Sequence, residues 1–151
     1  MTQSKNSKTA KVTWEGQGRA FTAVGNSRFA LRFNNPSSPE GASPMEVVVM
    51  AAGACTAMDV IDILRKKRQD VTGFEVNVVG PRASKHPMVF TEINLEYVVR
   101  GRNLDPKAVE RSIELSLTKY CSVNTMLQNS GAKITSRYRI EEAEEVETVA
   151  A

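Results

Sequence analysis

Cys55 and Cys121 are the only two cysteines of this chain, 66 residues apart, and they are its strongest candidates for nucleophilic or redox chemistry. A thiol with a reference pKa near 8.5 is only a few per cent ionised at neutral pH, so either sulfur needs help to react as a thiolate. The competing use is inert packing, because free cysteine is among the most buried residue types. The small residues around the first cysteine, Ala51-Ala52-Gly53-Ala54-Cys55-Thr56-Ala57, let another backbone approach the thiol closely. That leaves room for a ligand or for tight helix packing, and pattern does not choose between them. With one histidine, two cysteines and neither a CxxC pair nor a histidine pair, no metal site is expected. No cofactor is expected either, since the glycine-rich dinucleotide motif, the P-loop and the nucleophile-elbow motif are all missing.

The cysteines have to be positioned by elements, and these are legible in outline. Lys11 to Trp14, Ala20 to Val24 and Arg28 to Phe33 are short β-prone stretches divided by Gly16-Gln17-Gly18 and Gly25-Asn26, which predicts a three-stranded meander. A loop from Asn34 ends in Ser43-Pro44-Met45-Glu46, a capping box with proline at the first helical position. A long helix should follow through Val47, Met50, Ala51, Ala54, Met58, Ile61 and Leu64, closing in the basic cluster Arg65-Lys66-Lys67-Arg68. Cations there complement the negative end of the helix dipole, so the cluster reads as a helix end rather than a nucleic-acid stripe. Phe74, Val76 and Val78, then Ile93, Leu95, Tyr97 and Val99, alternate as two strands about an exposed turn at Lys85-His86-Pro87. Asp105-Pro106 should cap a second helix running through Val109, Ile113, Leu117 and Cys121 to Gly131, and Lys133 to Ile140 a last strand. The order is βββ-α-ββ-α-β, an α+β chain whose sheets cover long helices.

Length and composition agree with one domain. The 151 residues, 41% hydrophobic and 25% charged, exclude a disordered or low-complexity chain. The expected divisions are a basic N-terminal arm over 1–9, a domain over 10–140 and an acidic tail over 141–151. The longest apolar run, Val47 to Met58, is short of the roughly 18 residues that span a bilayer, so no membrane partner is expected. The polar, basic first eleven residues offer no secretory signal, which points to a cytoplasmic protein. The net charge of +3 is mild, and no nucleic-acid partner is expected.

The stretch Ser43-Pro44-Met45-Glu46-Val47-Val48-Val49-Met50-Ala51-Ala52-Gly53-Ala54-Cys55, with Lys119-Tyr120-Cys121-Ser122-Val123 further on, resembles the OsmC/Ohr family of osmotically inducible and organic-hydroperoxide-resistance proteins, best in its YhfA-like branch. The resemblance covers about residues 10 to 140. It implies an OsmC-like fold in an intertwined homodimer, with long central helices wrapped by sheets and active sites at the subunit interface. It also implies a thiol-dependent peroxidase acting on small hydrophobic hydroperoxides, with Cys55 as the attacking thiol and Cys121 as the resolving one. An external dithiol, such as a lipoyl group, would be the reductant.

The same resemblance supplies the cation that Cys55 needs. Cys55 lies about three turns inside its helix, beyond reach of the N-terminal dipole, and Asp59 one turn on would oppose thiolate formation if it faced the same pocket. Peroxidase members bring an arginine from the strand before the helix, and Arg32 is the matching residue, with Arg19 and Arg28 behind it. Their glutamate partner follows the proline directly, where this chain has Met45, and the carboxylate arrives one residue later as Glu46. One residue turns a helical side chain by about 100°, so Glu46 is a candidate both for the catalytic arginine clamp and for the capping box. If the clamp is missing, the alternative is a weakly redox-active stress protein of the same fold, holding a small hydrophobic ligand in the dimer cavity.

Overall fold

Glycines at Gly16 and Gly18 take the positive φ angles, 87° and 54°, that turn the chain back between the first two strands. The strands β1 (Ala10–Trp14), β2 (Phe21–Gly25) and β3 (Ala30–Phe33) pair antiparallel in that order, the meander expected from the turns. The computed structural model describes residues 6–35 and 37–144, and the chain divides into two compact units, Met1–Val48 and Val49–Ala151. The meander belongs to the first unit. Its edge strand continues into a parallel bridge between Phe33 and Ala42, just ahead of the helix cap.

Helix α1 (Pro44–Lys66) starts as its capping box dictates. Ser43 N–H donates to Glu46 Oε2 at 3.2 Å, and Glu46 N–H donates to Ser43 Oγ at 3.3 Å, so two otherwise orphaned donors are satisfied reciprocally. Arg65 and Lys66 occupy the last turn. Gln69 N–H then reaches back to Leu64 C=O and Arg68 N–H to Arg65 C=O, a Schellman closure with Arg68 in the left-handed region at φ 57°. By length and composition α1 could cross a bilayer, since an 18-residue window averages a hydropathy of 1.9. An uninterrupted-run test stops at Asp59 and misses this. The buried side of α1 nevertheless carries Thr56, hydrogen-bonded to Tyr97 and Ser116, as in a helix packed on a sheet.

In the second unit β4 (Asp70–Val79), β5 (Glu92–Arg102) and β6 (Lys133–Glu142) form a sheet with β5 in the middle, antiparallel to β4 and parallel to β6. Being central, β5 buries its apolar side chains: Ile93, Leu95, Tyr97, Val98 and Val99 are closed to solvent. Val60 and Leu64 of α1 are fully buried as well. At Gly53 a Cβ would meet Val78 Cγ2 at 2.9 Å, so the small-residue stretch serves close packing of α1 on β4 at that point. Parallel pairing of β5 with β6 requires a crossover, which is helical.

That crossover differs from the single second helix expected from periodicity. It is α2 (Pro106–Leu115), a π-helical turn over Ser116–Tyr120, and α3 (Ser122–Asn129). Asp105 caps α2 as expected, accepting from Lys107 N–H at 3.0 Å. The break falls at Cys121, which leaves the helical region (φ −78°, ψ 98°) and becomes the N-cap residue of α3. Cys121 therefore lies at a junction and not on a continuous helical stripe. Strand β6 runs two residues past Ile140 to Glu142, with Glu141 paired to Arg100. The rest of the acidic tail, 145–151, and the first five residues of the arm lie outside the described residues.

Candidate active site

One turn of α1 carries Cys55, Thr56 and Asp59, and the π turn with its exit carries Ser116 and Cys121. The second unit brings these together. Cys55 Sγ, Cys121 Sγ and a carboxylate oxygen of Asp59 all lie within 4.8 Å of one another. Cys55 and Asp59 are half-buried, while Cys121 is 1% exposed, and both cysteines are free thiols. The fold thus brings the two thiols together and sets Asp59 beside them.

Cys121 Sγ accepts a hydrogen bond from Asn124 Nδ2–H at 3.0 Å. The same amide nitrogen donates to Ala52 C=O of α1, also at 3.0 Å, so Asn124 ties the cysteine junction to the helix that carries Cys55. Burial pushes the Cys121 thiol from its ordinary value of 9.0 up to about 11, and the adjoining Cys55 thiol adds to the rise. The backbone and side-chain N–H groups of Asn124 work in the opposite direction.

Asp59 is the end of a buried hydroxyl chain with a fixed direction. Ser116 Oγ–H donates to Asp59 Oδ2 at 2.9 Å. A serine hydroxyl has one hydrogen, so in the 2.7 Å contact between Thr56 Oγ1 and Ser116 Oγ the threonine is the donor. By the same count Tyr97 O–H donates to Thr56 Oγ1, again at 2.7 Å. Burial pushes the Tyr97 phenol up to about 12, which keeps that donor protonated. Three hydroxyls from β5, α1 and the π turn therefore run as successive donors toward the Asp59 carboxyl group. A cleft of about 440 Å³ opens beside it, lined by Asp59, Asp62, Ile63, Lys66, Lys67, Leu115 and Tyr120.

Arg32 and Glu46 belong to the first unit, where each has its own partners. Arg32 Nε bonds Glu15 Oε2 at 3.0 Å and its Nη1 bonds Glu40 Oε2 at 3.1 Å. The Glu15 hydrogen bond, ahead of the weaker effect of Glu40, pushes the Arg32 pKa up. The carboxylates clamping Arg32 are thus Glu15 and Glu40, neither of which the sequence pattern singled out, and Glu46 bonds the Ser43 N–H of the cap. Arg19 joins Arg32, Glu15 and Glu40 around a second cleft of about 380 Å³. Among the aromatics, Tyr97 is core and stacks on Phe74 with ring centres 6.4 Å apart, whereas Trp14 and Phe29 are exposed. Thr56, Ser116 and Asn124 also escaped the pattern. The expected stripe of α1 pointed away from Thr56: Met50, Ala54 and Met58 are exposed, and the buried face runs instead through Ala52, Gly53, Thr56, Val60 and Leu64.

A family model for OsmC-like proteins matches residues 37–137. Protein YhfA of Escherichia coli strain K12 is 42% identical over 131 residues, covering 87% of this chain and 96% of that protein. A hypothetical protein from Aquifex aeolicus VF5 has a solved structure that superposes with a TM-score of 0.82 at 28% identity, covering 92% of this chain and 99% of the other. The organic hydroperoxide resistance protein OhrB of Bacillus subtilis shares the fold at a TM-score of 0.58 and 17% identity, covering 87% and 98% of the two chains.

Proposed function

The chain belongs to the OsmC-like family, and from that premise we propose that it is a thiol-dependent peroxidase that reduces organic hydroperoxides. The observation that carries this reading is the meeting of its two cysteines, far apart in sequence, within 4.8 Å in a partly buried pocket. The half-buried Cys55 is the attacking thiol, and the buried, protonated Cys121 is the one that waits to resolve.

In the first step Cys55 thiolate displaces alkoxide from the O–O bond, giving Cys55 sulfenic acid and, once the alkoxide is protonated, an alcohol. The Cys121 thiol then condenses with the sulfenic acid, forming the Cys55–Cys121 disulfide and releasing water. An external dithiol returns both cysteines to thiols and becomes a disulfide itself. Arg32, held by Glu15 and Glu40 within the first unit, is the cation that the family resemblance offers for the Cys55 thiolate. Glu46 acts through the cap that starts α1.

A second copy of the chain is the proposed partner. Met50 and Met58 of α1 are 55% and 68% exposed, and Ala54 between them is exposed as well, an apolar stripe at helical spacing. Covering that stripe with its own symmetry mate gives a homodimer.

Intact mass and a free-thiol count after one equivalent of an alkyl hydroperoxide test the mechanism. Wild type should lose two hydrogens within seconds, and Cys121→Ser should hold a trappable sulfenic acid that Cys55→Ser never forms. Both thiols remaining free in wild type over minutes would overturn the reading in favour of apolar-ligand binding without turnover.

A further inference from the structure

We propose that Cys55, Asp59 and Cys121 together form a binding site for a thiophilic divalent cation of the Zn2+ class. The spacing of the two cysteines gives no sign of this in sequence, because Cys121 joins Cys55 and Asp59 only across the fold. Cys55 and Asp59 are one helical turn apart, so their side chains project from the same face of α1. Cys121 arrives from the junction between the π turn and α3. Two thiol sulfurs and one carboxylate oxygen are a donor set suited to Zn2+.

The distances fit. Tetrahedral coordination with Zn–S near 2.3 Å and Zn–O near 2.1 Å holds neighbouring donors roughly 3.5–3.8 Å apart. Donors already within 4.8 Å of one another need to close by about an ångström or less, within reach of side-chain rotation.

Groups outside the three donors are arranged as a metal site arranges them. Ser116 Oγ–H holds Asp59 by Oδ2, which leaves Oδ1 to ligate, and the hydroxyl chain from Tyr97 through Thr56 fixes Ser116 as the donor in that bond. Asn124 Nδ2–H donates to Cys121 Sγ, a bond that strengthens when the sulfur becomes a thiolate. The other end of that amide, Asn124 Oδ1, is a buried acceptor with no partner among the described residues. With three protein donors the fourth position stays open, and the adjoining cleft gives access on the Asp59 side.

Binding converts two thiols and a cation into a cation dithiolate plus two protons, with no change of oxidation state. Coordination lowers the nucleophilicity of a thiolate and a Cys55–Cys121 disulfide cannot ligate as a dithiolate, so metal loading slows thiol oxidation and complete oxidation to the disulfide releases the cation. The site itself does not depend on the peroxidase reading.

The test is a titration of the reduced, metal-free full chain with Zn2+ against a chromophoric chelator, with proton release followed in weak buffer, and a parallel titration with Co2+. One Zn2+ per chain, release of two protons near pH 7 and a thiolate-to-cobalt charge-transfer band are expected. Cys121→Ser should lose about 100-fold or more in affinity and Asp59→Asn about 10- to 100-fold, each shown to be folded by circular dichroism. Zn2+ binding weaker than roughly 10 µM in wild type, or binding that survives Cys121→Ser unchanged, overturns the proposal. Hydroperoxide consumption by the metal-free protein is read separately. Zn2+ binding without peroxide reaction sinks only the peroxidase reading, and peroxide reaction without Zn2+ binding sinks only this one.

Discussion

Cys121 shows how burial sets the chemistry of one atom. Its thiol is held from 9.0 up to about 11 chiefly by desolvation, so the folded protein keeps a proton that the unfolded chain releases first. Between about pH 9 and about 11 the unfolded state binds fewer protons, and stability falls as pH rises through that window, being fully present below it. Tyr97, raised from 10.0 to about 12, extends the decline upward. Urea midpoints of wild type should therefore drop between about pH 8.5 and 10.5, and Cys121→Ser should drop less steeply. Parallel declines for the two proteins would contradict this account. At this scale the two sulfurs and the one-turn spacing from Cys55 to Asp59 were legible, because they depend on residue type and on helical geometry alone. Thr56, Ser116 and Asn124 were not, because a small polar residue becomes a buried hydrogen-bonding group only when the element across from it is in place, and the buried face of α1 lies opposite its most apolar stripe.

Helix boundaries were the most legible elements. The box Ser43-Pro44-Met45-Glu46 and the pair Asp105-Pro106 act within three residues of chain, and both caps form as expected. The cap at the other end of α1 is less favourable. Arg68 occupies a left-handed position that glycine takes without steric cost. Arg68→Gly should consequently raise unfolding free energy by about 0.5–1 kcal/mol, read as a higher denaturant midpoint with unchanged slope. A lower midpoint would mean that the Arg68 side chain contributes more than its backbone costs. The break between α2 and α3 was illegible for a physical reason. Val109, Ile113, Leu117 and Cys121 keep helical spacing, but Ser116 is drawn into contact with Thr56 and Asp59, and the chain widens to a π turn before releasing Cys121.

Taken as a whole, the molecule presents more apolar helix surface than one chain covers. Met50, Met58 and Met126 are more than half exposed, a pattern that marks an interaction surface when contiguous. Met58→Lys should shift the proposed homodimer toward monomer, measured by light scattering at micromolar concentration, while leaving circular dichroism unchanged. A variant with the wild-type mass distribution would remove α1 from the interface. The amino-acid sequence by itself determined the α+β class, the meander, both helix caps and the strand alternation of β4 to β6, since each depends on interactions among residues a few positions apart. Its motifs also placed the chain beside the right family. Only the tertiary structure decided that Asp59 shares the pocket of Cys55 and Cys121, that Glu15 and Glu40 clamp Arg32, and that Cys121 caps a helix instead of riding on one. Those outcomes depend on which distant elements pack together, and a hydrophobic period is the same whatever lies across from it.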